Sequence, residues 1–432
     1  MTNASRRRLL RAGGVAAVST LAGCSGLFDS TRERDRIRDV DVTANVSQRV
    51  DVEAVREERD VTAIDGIVRD AEDGTLLYFP PGEYVVEGSI LLEDVSDLAL
   101  VGNDATLIPA DPVEEDEEYL LSLIGSQLHV EGFTVDIRGD GYGGRVQILG
   151  DDEFVCRDVE VVGVNAATGL FVFEMRNPEG SGVVERLTAR DGSPESGGML
   201  VAKRHAGELI VRDCRFEGFK GNGLYGSPPS VPGGGDGVVK VEGGEFRNNN
   251  IANVRLGSTG SYVRNATVVV DDDIPPTSDG VVNSRGVWLH GGGDMLVEDC
   301  TILLAPPANG DGAIVLGGHT GAATVRGTDV RVDADLRAID VSLSDGVDGD
   351  ATFRCEECVV AGDASGDVAI SVTDRDGSRF SGVTVTQRGE DRDGFLFRRS
   401  RDNAVRDVDV DVTGQRFVLE EDSTVRGVGS SE

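Results

Sequence analysis

One six-residue pattern recurs along most of the chain: apolar, polar, turn residue, any, any, apolar. Clear copies are 95–100 (VSDLAL), 130–135 (VEGFTV), 156–161 (CRDVEV), 211–216 (VRDCRF), 297–302 (VEDCTI), 325–330 (VRGTDV) and 405–410 (VRDVDV). Successive copies start between 20 and 35 residues apart. The third slot is mostly Gly, Asp or Asn, which tolerate the left-handed backbone of a sharp corner. Slots one, four and six then face inward on either side of that corner. A second short apolar strand recurs in each repeat, as in 170–172 (LFV), 254–256 (VRL), 287–289 (VWL), 314–316 (IVL) and 339–341 (IDV). The three- and four-residue apolar spacing of helices is absent. Short strands at this period predict an all-β solenoid, with the irregular insertions in its loops. Ahead of the first copy, 62–71 (TAIDGIVRDA) reads as a short capping helix. Thr62 is its expected cap, and Ile64, Ile67, Val68 and Ala71 share one face.

The repeat register assigns directions to the unusual residues. Cys214, Cys300 and Cys358 occupy slot four and point inward as small core residues. Cys355 and Cys358 straddle a corner, and zinc-ligand spacing is missing around them. On the second strand, Val287 and Leu289 point in, so Trp288 and His290 point out. The equivalent outward residues are Phe171, Tyr225, Arg255, Val315 and Asp340. Just past the strand ends lie Lys203, Arg204, His205, Ser227, His290 and His319. Three of the four His and the only Trp therefore gather on one face.

Charge changes the list of partners. The chain has 77 acidic and 42 basic residues, a net charge of −35, and only three of the basic residues are Lys. Such a surface repels nucleic acid and anionic membranes. It resembles the surfaces of proteins from extreme halophiles. Acidic runs are accordingly weak metal signals. A Ca²⁺ site at Asp271–Asp273 or Glu114–Glu118 is the alternative to a solvated surface, and no cofactor or metal is otherwise expected.

The N-terminus carries a separate message. Ser5-Arg6-Arg7-Arg8-Leu9-Leu10-Arg11 resembles a twin-arginine (Tat) export signal, followed by an apolar stretch too short to span a bilayer. Leu21-Ala22-Gly23-Cys24 resembles a lipobox, with Cys24 as the lipidated thiol. The expected organisation is a signal peptide over 1–23, a polar tether over 24–60 and the solenoid over 61–428. The expected location is outside the cell, held to the outer face of the cytoplasmic membrane by the lipid on Cys24.

The strand, Pro-Gly turn and strand of Phe79-Pro80-Pro81-Gly82-Glu83-Tyr84, followed by these repeats, is similar to the start of a right-handed parallel β-helix. The resemblance covers about residues 62–428. It implies a single-stranded right-handed parallel β-helix of about thirteen rungs, the fold of the pectate lyase and polygalacturonase superfamily. Enzymes of that superfamily hold their sites on one outer sheet with flanking loops. For a polyuronate lyase, a carboxylate must be neutralised, an α-proton abstracted and a leaving oxygen protonated. Lys203, His205, Arg255 and His290 are the catalytic candidates. Phe171, Arg204, Tyr225, Trp288, His319 and Asp340 are the candidates for substrate binding. A glycosidase would instead need two carboxylates, with Asp271–Asp273, Asp279 and Asp340 the nearest options. The motif sets of both named families are incomplete here. Thr277-Ser278-Asp279-Gly280 and Gly318-His319-Thr320-Gly321 are partial echoes of polygalacturonase segments, and Trp288-Leu289-His290 lacks the Asp of its pectate lyase counterpart. The reading is a surface-anchored protein acting on polysaccharide, more a lyase than a hydrolase. The alternative is a non-catalytic surface protein or adhesin that binds glycans or builds the envelope.

Overall fold

The computed structural model describes residues 42–112, 119–228, 231–344 and 351–427. They form an all-β solenoid of about thirteen turns. A typical turn carries three short strands, such as Arg285–Leu289, Met295–Glu298 and Thr301–Leu304. Each pairs in parallel with its counterpart in the next turn: Val287 opposite Ile314, Val297 opposite Val325, Ile302 opposite Val330. Inward residues of successive turns stack into continuous columns. One column runs Val254, Val287, Ile314, Ile339, Ile370 and Phe395, all fully buried. Parallel strands with evenly stacked aliphatics need no helices to cover them, because the coil itself closes the core.

The corner between the second and third strands explains the six-residue pattern. Slot three adopts positive φ in every repeat, from Asp97 at 55° to Gly427 at 89°. Arg186 (51°) and Glu357 (54°) do so as well, without the conformational freedom of Gly. A left-handed residue with a side chain costs roughly 1–2 kcal/mol. A repeated hydrogen bond offsets it. The slot-three N–H donates to the slot-two carbonyl of the next turn, at 3.0 Å for Asp213 to Glu242, Asn265 to Glu298 and Asp299 to Arg326.

Slot four is buried at Cys214, Cys300, Thr328 and Cys358, and its chemistry there is more specific. The thiols of Cys214, Cys300 and Cys358 donate to the carbonyls of Arg212 (3.4 Å), Glu298 (3.3 Å) and Glu356 (3.2 Å), two residues back. Thr328 makes the same bond to Arg326 through its hydroxyl at 3.0 Å. Cys here is a Thr analogue that satisfies a corner carbonyl. All five described cysteines are free and buried.

Slot two holds a charge ladder. Glu131, Arg157, Glu185, Arg212, Glu242, Arg264, Glu298, Arg326 and Glu356 are successive register partners, and their signs alternate without a break. Opposite charges directly across parallel strands fix pairing register, and like charges there oppose it.

The domain begins earlier than residue 61. Gln48–Asp51 pairs with Thr75–Phe79, and the helix Val52–Arg59 follows, capped by Asp51 accepting from the Ala54 N–H at 3.1 Å. Thr43 lies 3.2 Å from Nδ1 of the buried His129. Residues 48–59 of the expected tether are therefore strand and helix, and Val52 is an apolar anchor that buries completely. The second helix is Asp65–Arg69, with Ile64 as its cap residue and no side-chain cap bond. Thr62 does not cap it. The buried Asp65 carboxylate instead accepts from the Glu87 and Gly88 N–H groups at 3.0 and 2.9 Å. At the other end, Phe417–Glu420 pairs on one side with Asp393–Arg398. Glu420, Glu421, Asp422 and Arg426 crowd that last edge with charge, which discourages strand addition. Residues 1–41, including Cys24, and Glu114–Glu118 lie outside the described residues.

Candidate functional site

The first strand of each turn builds the candidate face. Register pairs place Leu200, Tyr225, Arg255, Trp288, Val315, Asp340 and Ser371 in one outward column. Neighbouring strands lie about 4.8 Å apart.

Phe171 is not in this column. Its partner is Met199, while Val172 is opposite Leu200. Phe171 is fully buried, 6.3 Å from Phe173 and 5.9 Å from Phe216 between ring centres. The run Leu170–Phe173 is apolar at every position, so alternation could not fix its register. The two aromatics went inside because they fill the most core volume.

His205 is also inside and fully buried. Its Nδ1 accepts from the Met175 N–H at 3.1 Å, and Nε2 lies 3.2 Å from the Val238 carbonyl. Burial holds its pKa below the usual histidine value. Both nitrogens are consumed by backbone, so this imidazole is structural. Lys203 and Arg204 are exposed at the end of the strand Met199–Val201. The Lys203 carbonyl accepts from Gly235 at 2.9 Å, and the Arg204 N–H donates to Glu174 at 3.0 Å. That strand is three turns from Trp288, roughly 14 Å along the axis.

Tyr225, Arg255, Trp288 and His290 do come together. The Arg255 guanidinium lies 4.8 Å from the Tyr225 ring centre and 4.0 Å from that of Trp288. The Arg285 guanidinium is a second cation on Trp288, at 4.1 Å. Arg285 is tied down by Asp311 and by the Ile251 carbonyl at 3.1 Å. Arg255 has no carboxylate partner among the described residues, and its Nε is buried without a hydrogen bond. Burial pulls its pKa down. The His290 ring centre is 4.7 Å from Trp288 and 6.5 Å from the exposed His319. Burial, then Arg255, His319 and Arg285, push His290 down from 6.5 to about 4. It is neutral at pH 7. Gly317 leaves the space this cluster needs, because a Cβ there would stand 3.0 Å from His290 Nδ1 and 3.2 Å from Trp288 Nε1.

Trp288 is therefore outward and half-buried, packed by two arginines. The 271–283 loop is anchored by Asn250, which donates to the Pro275 and Val281 carbonyls, both at 2.9 Å. Asp340 is two turns from Trp288 and takes a 2.9 Å bond from Arg337. Burial raises its pKa despite that partner. Asp271 pairs with Arg247 and Asp279 with Thr277. Among the described residues no group of three or more His, Cys, Asp or Glu could hold a metal ion. Sequence reasoning missed Arg285, although it stands three residues before Trp288 on the same strand.

The architecture is similar to the A-module of a mannuronan C-5 epimerase from Azotobacter vinelandii. The match has a TM-score of 0.50 and 14% identity over 89% of this chain and 98% of that one. A surface adhesin of Streptococcus pneumoniae aligns over 88% of this chain and 92% of its own, at 11% identity and a TM-score of 0.47. A family 28 exopolygalacturonase of Yersinia enterocolitica aligns over 89% and 79%, at 11% and 0.41. The chain is a right-handed parallel β-helix. No protein-family model and no curated protein sequence matches it. The likeness establishes the fold, and function rests on the site itself.

Proposed function

We propose that this β-helix acts outside the cell on an acidic polysaccharide, and that Tyr225, Arg255, Trp288 and His290 form its site. The carrying observation is Arg255. In a chain of net charge −35, a half-buried guanidinium without a carboxylate partner among the described residues is suited to hold an anion. A sugar carboxylate meets it with a charge-assisted hydrogen bond. The neutral His290 then faces a substrate whose α-proton is acidified by that pairing. Elimination would transfer this proton to His290, form a C=C bond and break the bond to the leaving sugar oxygen, which Tyr225 or water protonates. A bound carboxylate also cancels part of the positive field on His290 and raises its basicity toward the useful range. Export through the Arg6-Arg7 signal and anchoring by Cys24 would place this face at the cell surface.

A second reading is binding without turnover. It is favoured by the separation of Lys203 from His290 by three turns and by the burial of His205, which leave the expected catalytic set unassembled. Incubation in molar salt with a panel of polyuronates, following the absorbance of unsaturated products, tests the first reading. Retained binding with no product from any member would replace it with the second.

A further inference from the structure

The same face carries a cavity of about 190 Å³ on the N-terminal side of Tyr225. Val172 and Leu200 line it with aliphatic surface, Tyr225 with an aromatic ring, and Arg145, Thr168 and Asn222 with polar groups. Arg145 is already engaged. It donates to the Thr168 hydroxyl at 3.0 Å and the Tyr119 hydroxyl at 3.3 Å, and stacks on the Tyr119 ring. Asn222 is different. Only 7% of it is exposed, and its side-chain oxygen is buried with no hydrogen-bond partner. A buried acceptor without a donor is costly, and native structures rarely keep one without a reason. The neighbouring turn stacks closely here: a Cβ on Gly197 would stand 2.7 Å from the Asn222 backbone carbonyl oxygen.

We infer that this cavity is a subsite for an uncharged, hydroxyl-bearing sugar unit, next along the solenoid axis to the unit held at Arg255. An apolar floor with an aromatic wall accepts the C–H face of a sugar ring. The unmet Asn222 oxygen asks for a donor, which a hydroxyl supplies and a carboxylate does not. Tyr225 borders both places, since Arg255 packs on its ring at 4.8 Å. The ligand is then a mixed glycan with acidic and neutral units, lying along the axis. This rests on the acidic-glycan reading for the neighbouring unit only.

The test compares a hexasaccharide of alternating uronate and neutral units with a homouronate hexasaccharide and a neutral one. Binding is measured by titration calorimetry on the wild type, Asn222→Leu and Arg255→Met, while the Asn222 side-chain amide is followed by NMR in the wild type. The expected result is about tenfold tighter binding of the mixed chain than of the homouronate. Asn222→Leu removes that preference, so that the two chains bind alike. Equal affinities for the two chains, or an Asn222 amide that no ligand perturbs, overturns the subsite and leaves the Arg255 reading standing. If no acidic chain binds but the neutral one shifts the Asn222 amide, the Arg255 reading fails and the subsite stands.

Discussion

Arg255 and Trp288 face each other across neighbouring strands, with the guanidinium 4.0 Å from the indole ring centre. The ring holds the cation in place by cation–π attraction while leaving its hydrogen bonds unspent. Arg285 sits on the same ring but is committed to Asp311. Two arginines on one indole thus have different roles, one fixing the ring and one presenting charge.

Removing that charge should cost binding and not stability. Arg255→Met is expected to weaken an acidic oligosaccharide about 10- to 100-fold, the scale of a charge-assisted hydrogen bond. Its Tm should equal or exceed the wild type, since a half-buried cation without a carboxylate partner is lost. Calorimetry and a thermal melt on the same sample separate the two effects.

His290 predicts a pH signature. Its folded pKa of about 4 lies below its ordinary 6.5. Its contribution to stability is therefore fully present above 6.5 and is lost as pH falls through about 4. His290→Gln should flatten that part of the stability profile. Binding an acidic oligosaccharide should raise the His290 pKa, because Arg255 is one of the groups depressing it. An NMR titration of the imidazole with and without ligand reads the shift directly.

The C-terminal turns depend on two buried arginines. Arg375 is fully buried and donates to four backbone carbonyls, of Thr320, Gly321, Ser342 and Ala351, at 2.6–2.9 Å. Arg392 does the same for Leu336 and Gly366 at 2.6 and 2.8 Å. Each ties together turns far apart in sequence. Arg375→Met should lose more than about 3 kcal/mol in denaturant unfolding, because several carbonyls are left without donors.

The slot-two ladder makes a salt-dependent prediction. Arg264→Glu puts a third carboxylate between Glu242 and Glu298, so that three adjacent strands carry like charges in a row. The expected loss is about 1–2 kcal/mol at low salt, shrinking in molar salt as the exposed charges are screened. A loss independent of salt would mean that the ladder is not electrostatic.

Most of the fold was legible because the corner has one chemical requirement, a left-handed residue between inward apolar slots. Every copy from Asp97 to Gly427 meets it, even where Arg186 or Glu357 stands in for Gly or Asp. The outward column was equally legible wherever apolar and polar residues alternate, as at Tyr225, Arg255, Trp288 and Asp340. It failed at Phe171, where four consecutive apolar residues carry no phase. It failed at His205 because a polar residue just past a strand end can turn back inward when backbone groups await it. The alternating signs of slot two were visible in the sequence, but they acquire meaning only once the residues are known to be neighbours. The unmet oxygen of Asn222 was not visible at all, since it is a property of packing.

The most direct measurement is the affinity of wild type and Arg255→Met for one uronate oligosaccharide and its carboxyl-reduced counterpart, in molar salt. The account predicts that the wild type prefers the acidic ligand and that Arg255→Met binds both alike. Equal affinity of the wild type for the two ligands, or an unchanged preference in Arg255→Met, would contradict it.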